Sequence, residues 1–123
     1  MRSLSSSPGH FSYERLEVHA VAREALILGE EVAKALPRGY AHLGDQLRRA
    51  LLSCVLGIAE ASARQGADRA MRFRCARGEC SEAAAALDLA EALGLVPAAQ
   101  VQPVVALLGR VHAMLTRLIR PLR

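Results

Sequence analysis

Apolar residues recur at intervals of three and four along four stretches of this chain, and turn-forming residues separate the stretches. In the first, Val18, Ala22, Ala25, Gly29, Val32 and Leu36 mark one face of a helix from about Tyr13 or Glu14 to Ala35, ended by Pro37-Arg38-Gly39. The second runs from about Tyr40 or Ala41 to Arg64, with Leu43, Leu47, Ala50, Cys54, Gly57 and Ala61 in its seam, and Gln65-Gly66 closes it. The third, from about Ala67 to Leu93, carries Phe73, Ala76, Cys80, Ala83, Leu87 and Ala90 and stops at Gly94-Leu95-Val96-Pro97. The fourth has Val101, Val104, Leu108, Val111, Leu115, Leu118 and Leu122 on one seam. Because Val101 already fits that seam, a start near Pro97 with a slight bend at Pro103 is favoured over a start near Gln102.

The second stretch stands apart. From Ala50 to Ala59 only Ser53 is strongly polar, so this helix is apolar on nearly every side and needs cover from other helices, a neighbouring subunit, or both. Four helices joined by short loops predict an all-α fold, an antiparallel up-down-up-down four-helix bundle. Residues 1–12, rich in Ser, Pro and Gly, are expected to form a flexible arm, and residues 13–123 the bundle domain.

If the second and third helices fold back at Gly66, residues equally far from that turn meet. Glu60 then faces Arg72, and Ser53 faces the level of Glu79. In heptad terms these four flank the seam at g positions, which predicts a Glu60–Arg72 ion pair. Arg49 and Glu82 share those flanks at matching heights and could pair as well, from positions further out. The ordinary role of such residues is to set register, and no nucleophile accompanies them.

The hydrophobic content is 52%, mostly Ala and Leu, with two Tyr, two Phe and no Trp. Such a core depends on many close helix contacts, and the chain is expected to lack exposed aromatics for stacking on bases. Sixteen Lys and Arg against twelve Asp and Glu give +4, a balance that permits an anionic partner without demanding one. Cys54, Cys75 and Cys80 form no CxxC pair and read as buried, reduced thiols of a cytoplasmic protein. No stretch approaches the ~20 uninterrupted apolar residues of a membrane span, so no membrane partner is expected. His10, His19, His42 and His112 lack metal-ligand spacing and there is no glycine-rich phosphate loop, so neither an enzyme nor a cofactor is expected.

Several motifs together resemble a known family. They are Tyr13-Glu14-Arg15-Leu16-Glu17-Val18, the block from Gln46 through Arg49, Ala50, Ser53, Ile58, Ala59 and Glu60 to Ala61, the pair Arg72-Phe73, and Ala76-Arg77-Gly78-Glu79-Cys80-Ser81-Glu82. From about Tyr13 to Leu122 the chain resembles the ribosomal S23 or 23S rRNA intervening-sequence family. It departs from that pattern where Gly57 replaces an Asn, Ala61 a Gly, Glu79 a Ser, and His19 an aromatic. The resemblance implies a bundle assembling as a cyclic homo-oligomer, typically a pentamer, with Gln46, Arg49, Ser53, Glu60, Arg72, Phe73, Gly78 and Glu82 as its structural motif. It implies no established enzymatic activity, and it makes nucleic-acid binding the leading suggestion.

Two functions are therefore expected to compete. One is a non-sequence-specific RNA- or DNA-binding oligomer, with Arg110, Arg117, Arg120 and Arg123 as contacts and Arg48, Arg64, Arg69, Arg74 and Arg77 as alternatives. The other is a structural scaffold whose partner is a second protein, held by Ala- and Leu-rich surface.

Overall fold

The computed structural model describes residues 10–120. Four α-helices account for most of them: α1 Glu17–Ala35, α2 Ala41–Ser62, α3 Gly66–Ala92 and α4 Ala98–Ile119, and no strand occurs among the described residues. Short 3-10 turns at Ser12–Arg15 and Arg38–Tyr40 lead into α1 and α2. The expected N-terminal arm lies outside the described residues as far as residue 9.

The helix periods fall where the apolar spacing puts them. Every α3 seam residue is buried, as are Val101, Val104, Leu108, Val111 and Leu115 of α4. Leu118 is partly exposed, and Leu122 lies outside the described residues. In α2, Leu47, Ala50, Cys54 and Ala61 are buried and Leu43 and Gly57 half-buried, while Leu51, Val55 and Ile58 widen the stripe. Among the described residues no charged or polar side chain is buried, so the core is wholly apolar. Phe73 is its largest fully buried side chain.

Each helix packs on two others: α1 on α2 and α4, and α3 on α2 and α4. The α2–α3 contact is the most extensive, and small residues explain why. A Cβ at Gly57 would lie 3.4 Å from Ala76 Cβ, so the helices approach as closely as alanines permit. The two turns that need a positive φ use glycine, Gly66 at φ 61° and Gly94 at φ 71°, where a Cβ would be strained.

Two boundaries differ from expectation. α1 begins at Glu17 because Leu16 is extended (φ −92°, ψ 120°), which separates the Ser12–Arg15 turn from the helix. That turn is held by its own contacts: Glu14 accepts from the Phe11 N–H at 3.0 Å, and the Ser12 and Ser62 hydroxyls lie 2.9 Å apart. The second helix ends at Ser62 rather than Arg64; its last turn closes with Ala63 and Arg64 N–H groups donating to the Glu60 and Ala61 carbonyls. α4 starts early, at Ala98 with Pro97 as its cap, and it contains Pro103, which has no N–H to offer the Ala99 carbonyl.

Candidate nucleic-acid interface

The arginines proposed from sequence do not form one face. Arg110 lies 3.6 Å from Glu17 of α1, so its charge is partly met within the molecule. Arg117 borders an apolar groove between α1 and α4, beside Leu16, Val18, Met114 and Leu118. Arg120 faces the other way, into a groove of about 420 Å³ where the start of α3 meets the end of α4, with Arg69, Arg74, Leu118 and Ile119. Arg123 lies outside the described residues.

The alternatives sort by their partners. Arg48 makes a two-point ion pair with Glu30 of α1, at 2.9 and 3.1 Å. That bond holds the Glu30 carboxyl below its ordinary range. Arg64 is shared between Glu60 at 3.4 Å and Asp68 at 3.7 Å. These two are engaged in structure. Arg69 stacks over Phe73, 4.9 Å from the ring centroid, with its Nη1 3.5 Å from both the Ala61 and Ser62 carbonyls at the end of α2. Arg77 donates to the Thr116 hydroxyl at 3.1 Å. Among the described residues, no carboxylate lies within ion-pair distance of Arg69, Arg74, Arg77, Arg117 or Arg120. α4 contributes to this because its sequence from Ala98 to Ile119 contains no acidic residue.

The expected absence of exposed aromatics is corrected. Phe11 is 61% exposed and Tyr40 40%, since each sits in a short turn where no helix covers it. Phe11 stacks on Tyr13 at 5.8 Å between ring centroids, and the Tyr13 ring meets that of His19 at 4.5 Å in a tilted contact, 49° between planes. Burial and then the nearby Arg23 charge push the His19 imidazole below its ordinary pKa.

The motif residues line the α2–α3 face. The expected Glu60–Arg72 pair is present at 2.9 Å, and Arg72 also reaches Asp68 at 3.1 Å. The Arg49–Glu82 pair is absent from the ion pairs of the described residues. Both side chains are exposed, while Glu79, one turn before Glu82 on α3, is half-buried and within the influence of the Arg49 charge. Burial, followed by the neighbouring Glu82 charge, pushes the Glu79 carboxyl up. Gln46 and Ser53 are half-buried, Phe73 is in the core, and Gly78 is exposed with nothing within 4 Å of where a Cβ would sit.

Sequence reasoning missed the Glu30–Arg48 pair, although the signal was available. The two residues are equally far from Gly39, as Glu60 and Arg72 are from Gly66, and the turn symmetry used at one loop holds at the other. Cys75 is a further correction. It is exposed on the outer side of α3, with its thiol 3.7 Å from the Met71 sulfur, because it precedes the seam residue Ala76 and so points away from α2.

No His, Cys, Asp and Glu side chains gather closely enough among the described residues to hold a metal ion. Among the described residues no helix is long and apolar enough to cross a membrane. No curated protein matches the chain. With four helices, a Gln46–Ala61 block covering the bundle's most intimate contact and an Arg72-Phe73 pair that supplies both flank and core, the chain belongs to the 23S rRNA-intervening sequence protein family, whose model matches residues 14–117.

Proposed function

We propose that this protein is a non-sequence-specific nucleic-acid-binding module of the cytoplasm, a binding protein rather than an enzyme, built as an up-down-up-down bundle and assembling as a cyclic homopentamer. The observation that carries the reading is the trio Arg69, Arg74 and Arg120, which share one groove where the α3 start meets the α4 end and are free of carboxylate partners among the described residues, with Arg77 and Arg117 likewise free on neighbouring surface. Guanidinium groups left unpaired on a surface attract a phosphate backbone chiefly by counterion release, which needs no base reading. Five copies of a chain carrying +4 would bring about +20 to one particle.

Exposed apolar side chains support the assembly. Ile27 is 53%, Leu52 49% and Leu56 58% exposed, on α1 and α2, beside an open groove of about 470 Å³ that includes Leu26 and the Glu30–Arg48 pair. Leu52 and Leu56 are one turn apart and form the outward side of the helix that is apolar all round. The same surface favours a second reading, a scaffold for a different protein partner, whose binding would survive high salt.

A gel-shift titration with RNA and with DNA separates the two. Retardation at about 50 mM salt that fades by about 300 mM, with little preference among sequences, is expected. No retardation at low salt would sink the nucleic-acid reading. Native mass measurement tests the assembly independently, and a species five times the chain mass is expected.

A further inference from the structure

Cys54 and Cys80 are both buried, about 1% exposed, and the apolar core gives neither an obvious reason to be a cysteine. Their position follows from two fixed points of the α2–α3 contact, Gly57 against Ala76 and Glu60 against Arg72. Stepping from Gly57 back three residues and from Ala76 forward four brings Cys54 and Cys80 into one layer of the seam. Ala50 and Ala83, one layer on, are also small and fully buried. Small residues in successive layers hold the two backbones close, the condition a disulfide between helices requires. The Cys80 thiol donates to the Leu108 carbonyl of α4 at 3.2 Å, which fixes its side chain in the core in the same layer as Cys54.

We propose that Cys54 and Cys80 form an intramolecular disulfide on oxidation by hydrogen peroxide, and that this bond locks α2 to α3. In the first step one thiol sulfur attacks a peroxide oxygen; the O–O bond breaks, water leaves and the sulfur becomes a sulfenic acid. In the second the other thiol attacks that sulfur, the S–O bond breaks and a second water leaves. Two thiols thus lose two electrons and two protons, and one peroxide yields two waters. Contact with Cys80 and then burial hold the Cys54 thiol well above its ordinary pKa. Oxidation is therefore slow and waits on brief separation of the two helices, in contrast with the exposed Cys75.

The test uses the full chain carrying Cys75→Ser, so that Cys54 and Cys80 are the only thiols. After peroxide treatment the protein is denatured, alkylated and weighed. The expected product is a monomer with no alkyl group on either cysteine and a tryptic Cys54–Cys80 disulfide peptide. Reduction should restore two alkylation sites. The bond closes a loop from residue 54 to residue 80, so the oxidised protein should also melt about 10 °C higher, reversibly with dithiothreitol. Two free thiols after prolonged treatment, a covalent dimer, or sulfinic acids without the disulfide peptide would each overturn the proposal.

Discussion

The two ends of this bundle are closed alike and charged differently. At one end lies the Gly66 turn, with the starts of α1 and α3 and the ends of α2 and α4 close by, as the Ser12–Ser62 contact and the groove shared by Arg69, Arg74 and Arg120 show. At the other, Gln100 donates to the Glu31 carbonyl at 3.3 Å, Gln102 to Glu91 at 2.7 Å, and Arg48 binds Glu30. Glycines at positive φ make a turn at each end and the core runs through both. What differs is the surface. Arg48 at the far end is matched by Glu30, with Asp45 4.0 Å away, whereas several arginines at the Gly66 end have no acid to meet. The lesson is that a net charge of +4 understates the field a partner would meet, because at the Gly66 end arginines outnumber acids: Glu60 and Asp68 engage Arg64 and Arg72 and leave Arg69, Arg74 and Arg120 without a carboxylate partner.

The largest expected effect is on the shared core. Phe73 anchors the Gly66 end and carries the Arg69 guanidinium on its ring, so Phe73→Ala should cost about 3–5 kcal/mol in urea denaturation and weaken nucleic-acid binding as well. If binding were unchanged, the stacked Arg69 would play no part in it.

Next comes the charge itself. Replacing Arg74, Arg77 and Arg120 together by Gln should lower affinity for a long RNA at least tenfold at about 50 mM salt and flatten the dependence on log salt by about 3. Neutralising Lys34 and Arg38 at the far end should change affinity far less. Equal losses from both sets would erase the distinction between the ends.

Glu60→Gln is a smaller perturbation. Glu60 holds Arg72 and Arg64, all partly exposed, so its loss should cost about 0.5–1 kcal/mol in the melting transition. It should leave assembly intact and, by freeing two guanidiniums, strengthen RNA retention slightly. Unchanged stability would remove the pair from any part in setting register.

The smallest effect concerns pH. The folded state holds the His19 pKa below its ordinary 6.5, so the stability this contributes is present above that value and is lost as the pH falls through the lowered one. Between pH 7.5 and 5 the turn at Ser12–Arg15 should loosen, seen as faster amide exchange at residues 14 and 16, whose N–H groups bond within the turn. His19→Gln should make that exchange much less dependent on this pH window; no change between the two proteins would dismiss the His19 contact as a lock.

Most of the architecture was legible because a helix announces itself locally. The steps of three and four in α3 and α4 coincide with their buried residues, and the Gly and Pro stops fall within a few residues of the helix ends. The Glu60–Arg72 pair was legible for a related reason, since a tight turn forces equidistant residues together. The boundary at Leu16 was not, because it rests on a Ser12–Ser62 contact across fifty residues. Nor was the division of Arg110, Arg117 and Arg120 among three different surroundings. A helical wheel places them on one broad side, but which neighbour each meets depends on how α1 and α3 lie against α4.

The sequence by itself therefore determined the four helices, their buried stripes, the family, and the anomaly of an α2 too apolar for one surface. Periodicity, turn chemistry and motif spacing are properties of short segments, and a chain carries them before it folds. Only the tertiary structure decided which arginines are neutralised and which stay free, that Leu52 and Leu56 rather than Leu51 and Val55 are the apolar residues left uncovered, and that Cys54 and Cys80 share a layer while Cys75 faces out. Those outcomes depend on distances between segments far apart in the chain, which helix rotation and register set only when the core packs.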